Sequence, residues 1–141
     1  MTGKLTTADY PLAETCSADI RGQRGKSLDD ITLASVVSGD IAMEDLRITP
    51  KALHDQAEIS RAANRPTLAL NFERAAELVN VPQEFIMSAY ELLRPGRAKS
   101  KQDLLDVAKI FRQTYNAEKM AVFIEEAAEI YERRGIFIHR F

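Results

Sequence analysis

Between residues 66 and 79 apolar side chains recur at Leu68, Phe72, Ala75, Ala76 and Val79, the i, i+4, i+7, i+8, i+11 spacing of one helix face. Glu73, Arg74 and Glu77 fall on the opposite side. Pro66 opens this helix and Pro82 the next, at first-turn positions where no amide donor is needed. The small pair Ala75-Ala76 admits a close neighbour and Phe72 supplies bulk, so the stretch reads as the packing hub of the chain. Nothing in it is chemically reactive.

The same period recurs on both sides of the hub. Thr49-Pro50 is a start signal, a capping hydroxyl before a first-position proline, and opens a helix to about residue 64 along Leu53, Ala57 and Ser60. The helix from Pro82 to about residue 93 turns Phe85 or Ile86, Ala89 or Tyr90, and Leu93 inward, and Arg94-Pro95-Gly96 ends it. Ser100 with Asp103 approximates a capping box, predicting a helix to about residue 115 with a face of Leu104, Ala108, Phe111 and Tyr115. Asn116 marks a candidate break before a last helix over 117–134, with Met120, Ile124, Ala127, Ala128 and Tyr131 on its face.

Residues 1–30 show no sustained period, and 1–7 read as disordered. Asp9-Tyr10-Pro11-Leu12 is an anchor-like cluster, and Gly22 and Gly25 mark loop. Thr32 caps a short helix whose apolar face is Leu33, Val36 and Val37 and whose stop is Gly39, and a further turn is expected at residues 43–46. Only the last residues alternate, and imperfectly. The expected fold is all-α: an open up-and-down helical bundle over 49–134, an irregular, partner-wrapping N-terminal segment over 1–48, and an apolar tail over 135–141, all in one domain. Gly135 suits a helix stop, and Ile136, Phe137, Ile138 and Phe141 beyond it are expected to fold back on the bundle or dock on a partner, with His139 packed or at a rim.

Composition narrows function mainly by exclusion. The 141 residues are 45% hydrophobic and 28% charged, with net charge −2 and a pI of about 5.7, which argues against a nucleic-acid binder. Cys16 is alone, so no internal disulfide forms, in keeping with a reducing compartment. The first residues lack the apolar stretch of a signal peptide, and no run is long enough to span a membrane. The chain reads as cytoplasmic.

Candidate chemistry is sparse. His54 and His139 lack the Glu three residues earlier that a di-iron bundle requires, and His54 with Glu58 reads as a solvated i, i+4 pair. Cys16 has no adjacent His and reads as an inert thiol. Glu125, Glu126, Glu129 and Glu132 read as a solvated helix face. Arg94, Arg97, Lys99 and Lys101 precede a helix N-terminus, where anions can bind, but read first as a soluble surface or as salt bridges to a partner. No phosphate-binding glycine loop is present. The residues leave a non-catalytic subunit of something larger or a freestanding interaction module.

Five segments carry a resemblance: DYPLA (9–13), LDDITLASVVSGDI (28–41), DLRITP (45–50), NFERAAELVNVP (71–82) and YELLRPGRAKSKQDLL (90–105). In this order and spacing, over about residues 9–134, the chain resembles the small (gamma) subunit of adenosylcobalamin-dependent glycerol and diol dehydratases. The resemblance implies a complex with large and medium subunits, two copies of each of the three, that converts glycerol to 3-hydroxypropanal or propane-1,2-diol to propanal. It implies that adenosylcobalamin is bound between the large and medium subunits and not by this chain, and that the small subunit packs mainly on the large one. No catalytic, cofactor-binding or metal residue carries over; Tyr10, Leu12, Arg47, Arg94 and Arg97 are the candidates for the partner interface. Many diol dehydratase small subunits carry a longer segment before the DYPLA-like motif, so eight residues before Asp9 point toward the glycerol dehydratase type. Packaging in a microcompartment stays open. The apolar end departs from the polar, lysine-rich end usual in the family. The competing expectation is a helical adaptor of another complex.

Overall fold

The computed structural model describes residues 3–137. Among these the regular elements are seven α-helices and three 3-10 turns, with one isolated antiparallel bridge between Arg21 and Ser27. The chain is all-α. Its contacts divide it at Val79 and Asn80 into two compact units.

The N-terminal unit begins with a 3-10 turn at Thr7–Asp9, α1 (Leu12–Thr15) and a second turn at Ser17–Asp19. Residues 3–7 are not disordered: the Leu5 amide donates to Glu58 at 3.1 Å, and Thr6 and Asp9 close a capping box around the first turn. Leu12, Cys16 and Ile59 form a buried cluster on which Leu5 and Ile20 pack. After α2 (Leu33–Val37) and a 3-10 turn at Met43–Leu46, the chain enters a helical hairpin of α3 (Pro50–Ala62) and α4 (Pro66–Leu78). Thr49 caps α3, its hydroxyl accepting from Ala52 at 3.2 Å. Asn64, at φ 59°, closes α3, with the Arg65 amide donating to Ser60 at 2.8 Å before Pro66 restarts the helix.

The hub helix is rotated from its expected face. Ala69 and Ala76 are the buried positions of α4, whereas Phe72 is half-buried and Leu68 exposed. Ala57 on α3 is also buried. Small side chains at these positions suit a close approach of two helices, and the Phe72 ring borders a hollow beside Ile59 and Ser60 of α3. Arg61 and Glu73 pair across the hairpin at 2.6 Å.

The C-terminal unit contains α5 (Gln83–Leu93), α6 (Lys101–Gln113) and α7 (Glu118–Arg133). Pro82 is the cap of α5, one position earlier than expected. Ser100 and Asp103 form the expected capping box on α6. Asn116, at φ 53°, is a true break, so five helices follow residue 49. Leu104, Ala108 and Phe111 of α6 and Ala121, Ile124 and Ala128 of α7 are almost wholly buried. The Phe85 ring packs on Phe111 and Tyr115, with centroids 4.9 and 5.2 Å apart, and the Tyr131 hydroxyl donates to the Leu93 carbonyl. Beyond α7, Gly135 takes φ 65° and the Ile136 amide returns to Tyr131 at 2.9 Å. The Phe137 ring then meets Tyr131 edge-on at 6.1 Å, so this much of the tail folds back. Ile138, His139 and Phe141 lie outside the described residues.

Candidate functional site

The segment from Arg21 to Ile48 is organised by polar contacts. The Gly22 amide donates to Lys26 at 2.8 Å, and Gly25, at φ 83°, completes the turn between them. This aims the Arg24 guanidinium at Asp45: Nε donates to Oδ1 at 2.9 Å, a second bond reaches Oδ2, and the Asp40 carbonyl accepts from the same group at 2.8 Å. The Ala42 amide also donates to Asp45, at 2.9 Å. Arg24, followed by this amide, holds the buried Asp45 carboxyl down at about 2, and Asp45 in turn raises Arg24. Lys26 closes a second pair with Asp40 at 2.8 Å. Gly22 is fixed by space, since a Cβ there would stand 2.7 Å from the Asp45 carbonyl oxygen.

The short helix α2 is held in the same manner. The Thr32 hydroxyl accepts from the Ser35 amide at 3.2 Å and Ser35 accepts from the Thr32 amide at 2.9 Å. Downstream, the Ile41 amide donates to Ser35 at 3.0 Å and the Ile41 side chain is buried. Asp30 accepts from the Ser27 amide at 2.7 Å, which lowers its carboxyl below the usual range.

With the polar groups turned to one another, the large apolar ones face out. Leu33 is 81% exposed, Val37 79% and Met43 75%, and Val36, Leu46 and Ile48 are exposed as well. The apolar face expected of Leu33, Val36 and Val37 is therefore turned outward. A five-residue helix is short enough to be fixed by its capping groups alone, so its apolar face is not needed to hold it. In the same unit, two adjoining hollows of about 520 and 340 Å³ share Ile20, Gly22, Ile48 and Ala52 as walls.

The structure distributes the expected interface residues unevenly. Leu12 is buried within its own chain, so its bulk anchors the N-terminal segment on α3 instead of being presented outward. Tyr10 is exposed and borders a separate hollow of about 450 Å³ with Leu68 and Phe72. Arg47 is exposed just after the 3-10 turn at Met43–Leu46. Arg94 pairs with Glu91 at 3.1 Å and Arg97 approaches the same carboxylate at 4.0 Å. Lys101 bridges to Glu129 and Glu132 at 2.6 and 2.7 Å, and Arg112 binds Glu118 and Glu125. These bonds raise Lys101 and Arg112 and lower Glu125. Glu125, Glu129 and Glu132 of the acidic run are therefore the other half of ion pairs within the α6–α7 hairpin, and Arg94, Arg97 and Lys101 of the basic cluster each meet a carboxylate of their own unit. Cys16 is buried, and Glu58 accepts from Leu5. His54 is exposed on α3. Among the described residues no group of His, Cys, Asp and Glu could hold a metal ion, and no helix is long and apolar enough to cross a membrane.

Sequence reasoning missed the Arg24–Asp45 clamp, whose partners lie twenty-one residues apart in irregular chain. The available signal was the run of polar and turn-forming residues interleaved with aliphatic ones, too polar to bury and too apolar to be plain loop.

Comparison with known proteins bears on what such a surface serves. The chain is 44% identical over 133 residues to the propanediol dehydratase small subunit of Citrobacter freundii, covering 94% of this chain and 76% of that one. It is 43% identical over 127 residues to the protein of the same name from Salmonella typhimurium, covering 90% and 73%. Residues 5–137 match the dehydratase small subunit family, and the chain belongs to that family.

Proposed function

We propose that this chain is the non-catalytic small subunit of an adenosylcobalamin-dependent dehydratase, and that it packs on and stabilises the large catalytic subunit. The reaction is conversion of propane-1,2-diol to propanal or of glycerol to 3-hydroxypropanal. The observation that carries the reading is 44% identity, over 94% of the chain, to a propanediol dehydratase small subunit. Both relatives bear the propanediol name, which favours that diol over glycerol. The outward Leu33, Val37 and Met43 support an interface role, because a rigid apolar surface gains stability only when something covers it. Tyr10 and Arg47 in the first unit and Arg94 and Arg97 in the second are further candidate partner contacts, and the assembly is read as two copies of each of three subunits in the cytoplasm.

Adenosylcobalamin supplies the radical that removes a substrate hydrogen in this chemistry. In this reading the cofactor sits between the large and medium subunits and is not held by this chain. No chemical step is assigned to this chain. Co-expression with the large and medium subunits, purification through a tag on the large one, and assay on both diols test the reading. Retention of this chain, with dehydratase activity lost or labile when it is omitted, is the expected result. A chain that is not retained, or whose omission changes neither activity nor its half-life, would refute it.

A further inference from the structure

We propose that the face formed by Leu33, Val36, Val37 and Met43 docks into an apolar trough rimmed by basic side chains on another subunit. The proposal rests on the subunit role argued above and locates its contact surface. Leu33, Val36 and Val37 stand at i, i+3 and i+4 on α2, so they share one helix face. Two of the three are β-branched and lose little side-chain freedom when covered. The face is also pre-formed: the Thr32–Ser35 capping box fixes α2, and the Arg24–Asp45 and Lys26–Asp40 pairs fix the loop that carries it. A rigid apolar surface binds without first paying to order itself.

Charge selects the occupant. From Leu28 to Leu46 the segment holds Asp29, Asp30, Asp40, Glu44 and Asp45 and no Lys or Arg, with one exposed cation, Arg47, directly after it, in a chain whose net charge is only −2. Asp40 and Asp45 are engaged by Lys26 and Arg24, while Asp29 and Glu44 are exposed toward the two ends of the segment. A second copy of this chain would bring the same acidic rim against itself across a two-fold axis, which is repulsive. An anionic lipid surface is disfavoured for the same reason. A partner with basic side chains around an apolar trough is complementary to both features.

The test titrates the purified full chain onto the assembled large and medium dehydratase subunits, and follows the isolated chain by sedimentation equilibrium. Tight association of the wild-type chain examines the subunit role itself; its absence would overturn that role and this surface together. Given wild-type binding, Leu33→Ser with Val37→Ser should weaken it by at least about tenfold, with the melting temperature of the chain unchanged. Asp29→Lys with Glu44→Lys should weaken it further at low salt than at high salt. Wild-type affinity in both variants would overturn the surface while leaving the subunit role standing. A wild-type dimer that the Leu33 and Val37 substitutions dissolve, with partner binding intact, would assign the face to a second copy and also overturn the proposal.

Discussion

In the C-terminal unit the largest fully buried side chains are Phe111, Leu104 and Ile124, and the long charged residues Arg112 and Lys101 lie across the seams of the hairpin. In the N-terminal unit the buried side chains of α3 and α4 include no aromatic ring, and the largest of them, Leu53 and Ile59, keep 7% exposure, while Leu33, Val37 and Met43 face solvent. Both units use ion pairs, but in different positions. Those of the C-terminal unit lie over an apolar core that would hold without them, as exposed pairs commonly do. Arg24–Asp45 lies inside the loop, with the Asp45 carboxylate buried, and substitutes for a core. The contrast teaches that a segment can be rigid without being internally apolar, and that such a segment can keep its apolar side chains available for another surface.

The sharpest way to break this comparison is to empty the better core. Phe111→Ala should destabilise the chain by about 3–5 kcal/mol, measured by urea unfolding, because Phe111 is 1% exposed and in contact with other rings. A loss under about 1 kcal/mol would mean that the α6–α7 hairpin is not held by its interior. Gly22→Ala tests the other region: its Cβ would press on the Asp45 carbonyl, and overpacking of this kind costs about 1–3 kcal/mol. Protection of amides 21–48 from hydrogen exchange should fall while that of the α6–α7 hairpin is kept.

Phe72→Ala should cost only about 1–2 kcal/mol, since the half-buried ring has less surface to lose than a core residue. A cost as large as that of Phe111→Ala would restore Phe72 to the hub. Acid sharpens the role of the clamp. Asp45 has its carboxyl lowered from 3.8 to about 2, so its contribution to stability is complete above the ordinary value and is lost as pH falls toward the lower one. Asp45→Asn should therefore flatten the dependence of melting temperature on pH across that interval, and an unchanged slope would show that the clamp is not energetically coupled to folding. The smallest effect belongs to Leu33→Ser with Val37→Ser. Both side chains already face solvent, so stability should move by no more than about 0.5 kcal/mol per substitution. A larger loss would place them in a core after all.

The helix inventory was legible because its signals are local. Thr49-Pro50, the Ser100–Asp103 box and Asn116 each act within a few residues, and each marks the boundary the sequence suggests. The face Leu104, Ala108 and Phe111 was legible too, because a strongly amphipathic helix has one way to hide its apolar stripe. The family was readable from five ordered segments, and identity over nearly the whole chain bears it out.

The orientation of α4 and α2 was not legible. On α4 both a Phe72-centred and an Ala69–Ala76 face satisfy helical spacing, and in the fold the alanines are the buried ones. On α2 the spacing of Leu33, Val36 and Val37 states only that they share a side. Which side faces solvent was decided by Arg24 reaching Asp45 and by the Ile41 amide reaching Ser35, contacts between residues distant in sequence or in irregular chain. Periodicity determines which side chains lie together on a helix; only the tertiary structure, through volume and buried charge, determined what each face meets.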